Sequence, residues 1–459
     1  MIASIFNTFA NCFKIPELKS RILFTLLLLA ICRLMSVITV PGLDGAALAE
    51  HFQKMGQKEG GGVLGMYSMF TGGALEHCAI AALGIMPYIS ATIIIQLLTA
   101  VVPQLSKLAR EEGGRPKLIQ YGRYLTLILC LGQGFVMALG WENAGKIFQG
   151  FQGNLVLYQN IWWYRIQTTL VLTTGTLLLM WLGEQITERG IGNGVSLVIT
   201  IGILARLPAA VRGLYDTFLS HGDVESKMNL GHAIVLIVLL FVVVAAVVAI
   251  TQAQRKIPVQ YAQRAVGRKV YGGGTSFLPL RVNYAGVMPI IFAGAILMFP
   301  SMIFQTLYSK TGIGIFRDLY AVLQERSFWY NLIYGLMIMF FSYFWVATQF
   351  NELQIADDLK KNGGYIPGVR PGQATSTFLH NSMHRITLAG AVFLTVIAII
   401  PNLLTRTMDI PYAVAQFFGG TSLLITVGVL LDTMRQMESH LLMRHYDGFL
   451  KKGRIKGRF

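Results

Sequence analysis

At 459 residues, 54% hydrophobic and only 13% charged, the chain is too apolar for a water-soluble protein of this size, since soluble domains run near a quarter charged. The balance is basic, with 38 Lys and Arg against 22 Asp and Glu. The four cysteines, Cys12, Cys32, Cys78 and Cys130, lie in or near apolar segments without paired spacing, which argues against a disulfide framework or a metal site.

A bilayer core takes roughly 20 apolar residues in helical form, because every backbone N–H and C=O must be paired within the segment. After a cytoplasmic N-terminal segment, 1–21, the first span is expected at Ile22–Val40. Met1–Lys19 has no apolar core followed by a small-residue cleavage site, so this span is expected to be retained. Arg33 is its one charge and needs a partner or an aqueous cavity, since a mid-span arginine costs about 2.5–3.5 kcal/mol on insertion scales. Gly60–Gly73 is too short and Gly-punctuated to span yet too apolar for an external loop, which fits a re-entrant segment inside protein.

The second span is placed at Cys78–Val102, kinked near Pro87, with Ile85 and Ile89 four apart on one face. The third follows at Tyr124–Leu139, the fourth at Ile166–Leu182 and the fifth at Val195–Ala205. Eleven residues are too few to span alone, so hydropathy leaves nine or ten helices open. Between the fourth and fifth, Gly190-Ile191-Gly192-Asn193-Gly194 follows a helix and not a strand, and reads as a turn, not a nucleotide cradle. The sixth span is Ala233–Thr251. The loop 254–283 then holds six basic residues and no acid, either a solvated loop that fixes orientation or a docking surface for something acidic. The seventh and eighth spans are Tyr284–Phe304 and Phe328–Phe350. In the long segment 351–385, the prolines and glycines of Ile366–Gly372 would set tight turns and present Arg370 at a tip, and His380 and His384 read as exposed loop residues. Ile386–Ile400 and Ala413–Leu431 complete the set, followed by a basic cytoplasmic tail, 438–459.

Loop charge decides between the counts. With ten helices, 26 of the 38 basic residues fall on the side that holds both termini and 11 on the other, with Arg33 inside the first span. That asymmetry favours ten helices with both termini cytoplasmic. No phosphate cradle, paired metal ligands or mid-span acidic relay is present, so neither an enzyme nor an ion-coupled carrier is indicated. A secondary transporter would want a midplane polar site, whereas a scaffold subunit would need only helices and loops.

Several blocks resemble the SecY family of protein-translocation channels: Thr71–Leu75, Leu83–Ala91, Gly183–Gly194, Ala285–Ala293, Ala356–Lys361 with Arg370–Gly372, and Gly419–Ile425. They occur in the family's order along nearly the whole chain. The resemblance implies an all-α membrane protein of about ten transmembrane helices, in two inverted five-helix halves, 22–212 and 229–437, around a central pore. It also implies a fifth helix. The function implied is the central channel subunit of the Sec translocon, which passes unfolded preproteins across the membrane and releases apolar segments sideways into lipid. The pore ring it implies comprises Ile85, Ile89, Ile199, Ile291 and Ile425; Ile290 adjoins Ile291, and the choice rests on Val287-Met288-Pro289. The implied plug lies within 63–77, with Val63, Leu64, Met66, Phe70, Gly72 and Gly73. Ser90, Gln96, Asn283 and Phe299 would belong to a lateral gate between the second and seventh helices.

Docking of a motor or ribosome would fall to Arg255, Lys256, Arg264, Arg268, Lys269 and Arg370. The implied partners are the small membrane subunits SecE and SecG, the SecA motor ATPase, the ribosome through its rRNA and proteins, preprotein signal sequences and lipids. No cofactor or metal is implied. The residence implied is the plasma (inner) membrane, with the plastid as another setting that shares the motifs.

Overall fold

The computed structural model describes residues 15–55, 67–68, 70–111, 113–147, 151, 153–209, 211–212, 230–261, 264–266, 269–271, 274–324, 327–407 and 421–452. In chain order its helices are α1 (Pro16–Met35), α2 (Gly45–Met55), α3 (Met86–Val101), α4 (Pro103–Arg110), α5 (Gly114–Glu142), α6 (Ala144–Ile147), α7 (Ile161–Arg189), α8 (Gly194–Leu204) and α9 (Leu230–Gln252). Strands β1 (Gln254–Tyr261), β2 (Arg264–Val266), β3 (Lys269–Tyr271) and β4 (Thr275–Arg281) follow. Then come α10 (Met288–Thr311), α11 (Gly314–Val322), α12 (Phe328–Gln349), α13 (Glu352–Lys361), β5 (Gly364–Tyr365), α14 (Gln373–Thr407) and α15 (Thr421–Lys452).

Among the described residues each of the ten predicted spans falls at least partly on a helix, with 413–420 of the tenth lying outside them, and several boundaries move. Cys78–Val102 is not one helix. Residues 71–85 form a chain of turns, pinned by hydrogen bonds from Val40 N to Cys78 O and from Ile80 N to Ile38 O, and α3 begins only at Met86. Pro87 therefore sits in the first turn of α3, where its missing N–H costs nothing, and makes no kink. Ile85 is the N-cap residue and not a member of the same helical face as Ile89. α1 ends at Met35, which moves Arg33 from mid-span to the last turn. α10 starts at Met288, four residues later than expected. The third and ninth spans, expected at Tyr124–Leu139 and Ile386–Ile400, are longer: α5 has 29 residues and α14 has 35, because both continue as helices into polar flanks that hydropathy does not score. α14 thereby takes up His380 and His384, so they are helical and not in a loop.

The described residues of the two loops also form regular structure. Segment 254–283 is an antiparallel hairpin: β1 pairs with β4 from Gln254↔Arg281 to Gln260↔Thr275, β2 with β3 at its far end, and β5 adds to β1's other edge. A small apolar core, including Ile257, Val259, Leu280, Phe350, Ile366 and Leu379, seats this sheet on the ends of α12 and α14. In the expected tail, α15 stays helical to Lys452.

Among the described residues, five helices are long and apolar enough to cross a bilayer alone: α5, α7, α9, the run from α12 through α13, and α14. α3 and α4 would add a sixth, but they meet at 104°, where Pro103 withholds the next helical hydrogen bond. The eleven-residue α8 covers only about 16 Å. Eight of its residues are buried, and it packs on α1, α7 and α15, so protein and not lipid covers it. Outward faces are apolar: Leu26, Leu27, Phe241 and Val242 are exposed, and Trp162 and Trp163 open α7 in the manner of an interfacial aromatic belt. One buried cluster runs through both halves of the chain, which meet where α3 packs on α10 and α8 on α15.

Candidate functional site

The five isoleucines come from four separate elements: the start of α3, α8, α10 and α15. All five are between 0 and 3% exposed and belong to the single cluster that joins the two halves. Ile290 is buried beside Ile291, so burial does not separate the two. A constriction of this composition offers no hydrogen-bonding groups and disfavours water.

Beside it lie the described residues of the expected plug; Val63, Leu64 and Met66 fall outside them. Tyr67 and Phe70 are buried in the same cluster. Gly72 has φ +66°, a conformation that a side chain rarely adopts, and a Cβ there would lie 2.7 Å from Gly202 Cα. The backbone thus rests directly on α8. Arg33 donates to the Gly72 carbonyl at 2.6 Å and to Ser36 Oγ at 2.8 Å, which supplies the partner that an arginine in a span requires. A cavity of about 30 Å³ beside it, lined by Phe70, Ile85, Val198 and Gly202 among others, has room for a water.

One turn further along α8's course, Arg206 ion-pairs with Glu76 and donates to Ser68 Oγ, while Ser68 Oγ donates to Glu76 Oε1 at 2.8 Å. Sequence reading missed this triad. Its only signal was a lone acid and a lone base, each in an apolar stretch, 130 residues apart. Ile199 and Gly202 lie three apart on α8, and Arg206 follows in the turn just after its end.

The turn between α7 and α8 is a second tie. Gly192, at φ +89°, donates its N–H to Gln436 Oε1 at 2.8 Å, and the Ile191 N–H goes to Thr25 Oγ1 at 3.1 Å. The Gly-rich block therefore joins α1 and α15, and it is no nucleotide site.

At the α3–α10 seam, Ser90 is buried and satisfies its own hydroxyl on Met86 O at 3.0 Å. Among the described residues, Gln96 Oε1 and Asn283 Nδ2 are buried without a hydrogen-bond partner. Phe299 lies in α10, with its side chain outside the description.

The basic candidates cluster away from this core. Arg255 and Lys256 are exposed on β1, and Arg370 is exposed in the turn that leads into α14, its carbonyl held by Thr375 Oγ1 at 2.9 Å. Arg264 and Lys269 lie on β2 and β3, and Arg268 is outside the described residues.

The SecY family model matches residues 79–434. The chain is 43% identical to the protein translocase subunit SecY of Chlamydia trachomatis over 98% of its own length and 99% of that protein's. It is 42% identical to that of Thermotoga maritima, over 99% and 100%. Its fold is similar to that in "The structure of a protein conducting channel" (TM-score 0.58, 18% identity, 92% of each chain). A structure on how the plug domain of SecY stabilises the closed channel and maintains a membrane seal is similar too (0.55, 18%, 92% of each). So is Sec61 in a canine ribosome-channel complex (0.54, 17%, 92% of each).

Proposed function

The chain belongs to the SecY family, and on that premise we propose how this channel works. It is the pore-forming subunit of a protein translocase, a multi-pass membrane protein of the Sec pathway. Ile85, Ile89, Ile199, Ile291 and Ile425 form the waist of its pore, and the segment around Phe70, Gly72 and Gly73 is the plug. The observation that carries this reading is the burial of those isoleucines, from elements up to 340 residues apart, in one cluster that also holds Tyr67 and Phe70.

A ring of methyl groups packs shut without committing to any partner. It resists ions by excluding water and spreads around an unfolded chain regardless of the passing side chain. Apolar segments of that chain gain about 25 cal/mol per Å² on entering lipid, which draws them sideways between α3 and α10. The unpartnered amides of Gln96 and Asn283 are polar groups that this gate can offer to a signal sequence. Work comes from outside: Arg255, Lys256, Arg264, Arg268, Lys269 and Arg370 dock the SecA motor or a ribosome, whose acidic faces and rRNA phosphates complement them. SecE and SecG cover part of the outward apolar surface. The halves 22–212 and 229–437 move as a clamshell, with both termini cytoplasmic in the plasma (inner) membrane.

The test is reconstitution with SecE, SecG, SecA, ATP and a preprotein in vesicles. Protease-protected preprotein is expected, and ATP-dependent protection that never appears would refute the reading.

A further inference from the structure

We propose that Arg206, Glu76 and Ser68 form an ion-pair latch that holds the plug segment on α8 and sets how readily the resting channel opens. The inference rests on the plug reading above and adds the residues that position it. The triad is the one place where the plug segment meets the channel wall through opposite charges, among the described residues. Ser68 is fully buried within the segment, Glu76 lies near the segment's end, and Arg206 stands in the turn just after α8, the helix that carries Ile199 and Gly202. The order along the chain is therefore waist, plug seat and latch.

Two other ion pairs show what a static tie looks like. Arg123–Glu184, at 2.7 Å, and Arg165–Glu142, at 2.9 Å, both join α5 to α7, two helices packed along their length in the same half. Nothing in an opening that displaces the plug requires those pairs to part. The Arg206–Glu76 pair must part, because one partner stays on α8 while the other adjoins the segment that leaves. Its side chains are 28% and 23% exposed, so both charges can take up water once separated. A fully buried pair would leave uncompensated charge on opening and hold the plug too firmly. A fully exposed pair would contribute almost nothing. The pair, about a quarter exposed, lies between these limits, which suits a tie broken in each transport cycle. The Arg33 bond to Gly72 O is a second, neutral-acceptor tie on the same turn, and it persists when the ion pair is removed.

The test uses the reconstituted channel complex with Cys12, Cys32, Cys78 and Cys130 replaced and Phe70→Cys as reporter. A membrane-impermeant thiol reagent is added on the plug side, at rest and during translocation. Arg206→Gln and Glu76→Gln are each expected to raise the resting modification rate about threefold to tenfold, with the double variant no faster than either. Arg206→Lys should restore most of the protection, and Arg165→Gln, which removes a static tie, should leave the rate at the parent's. The exchanged pair, Glu76→Arg with Arg206→Glu, guards against misfolding, since it keeps the attraction and should stay near the parent rate. Single variants that match the parent at rest, while the parent's own rate rises during translocation, would overturn the latch and leave the plug standing. A parent rate that does not change during translocation would overturn the plug reading and the latch with it.

Discussion

At the proposed waist, five isoleucines between 0 and 3% exposed share one buried apolar cluster, whereas the hairpin and the turn before α14 hold Arg255, Lys256 and Arg370 in the open. The waist must close tightly and recognise nothing. Dispersion and water exclusion do that, because they act on any surface and leave no specific bond to break. A docking face, the role proposed for the basic residues, must hold a particular partner and let it go. Charge does that, since exposed ionic contacts are moderate in strength and sensitive to salt. The two regions are also built differently underneath: the waist is a meeting of four helical elements, while the hairpin is seated on its own small core at the ends of α12 and α14. Damage to one should therefore leave the other working.

The largest effect expected bears on the waist's need to widen. In the cysteine-free background, Ser90→Cys with Phe299→Cys should form a disulfide across the α3–α10 seam if the two come within bonding reach. Oxidation should then abolish translocation, reduction should restore it, and a long flexible cross-linker at the same pair should permit it. Export that continues unchanged through the oxidised seam would show that the halves need not part there.

Next in size is reversal of charge on the docking face. Arg370→Glu should lower motor-driven translocation by about tenfold or more while membrane insertion and assembly with SecE stay intact, because the residue is exposed outside both buried cores. Parent-level translocation by that variant would remove the docking role from this turn.

Hydrating the waist should have an intermediate effect of the opposite sign. Ile199→Asn or Ile425→Asn places an unpartnered amide in the apolar cluster, at a cost of about 1–3 kcal/mol to the closed packing. Resting ion conductance should rise, preproteins with defective signal sequences should be exported better, and motor binding should not change. Variants as tight and as selective as the parent would displace the waist from these residues.

The smallest effect is expected from neutralising only the rim of the face. Arg255→Gln with Lys256→Gln should weaken motor or ribosome binding by about threefold to tenfold at low salt, and the difference should shrink as salt is raised. A difference that salt leaves unaltered would mean that these side chains dock through packing and not through charge.

The spans were legible because lipid imposes a local rule, and α7 and α9 answer it within their own sequences. The same rule misread the stretch from Cys78 to Met86, where the residues are as apolar as a span but the chain runs in turns that bond back to the segment after α1. Hydropathy registers that such residues avoid water and cannot register what satisfies their backbone. The hairpin was hidden for the converse reason: its strands alternate only partly, and Ile257, Val259 and Leu280 find their core on helices nearly a hundred residues away. Of the candidate site, the basic loop was legible from its charge alone, while the pore-ring positions and the docking partners came through resemblance to the family. The Arg206–Glu76–Ser68 triad came through neither resemblance nor pattern.

By itself, then, the sequence determined that this is a helical membrane protein with basic loops, because backbone pairing in lipid and the sidedness of charge are settled segment by segment. Family motifs placed a plug and a waist upon it. Only the tertiary structure decided that an eleven-residue α8 is covered by α1, α7 and α15, that Gly72 rests on Gly202, and that Glu76 finds Arg206. Apart from the packing of α8 on α7, those are contacts between residues more than a hundred positions apart, and each one depends on how helices stack after they have formed, which no local period in the chain encodes.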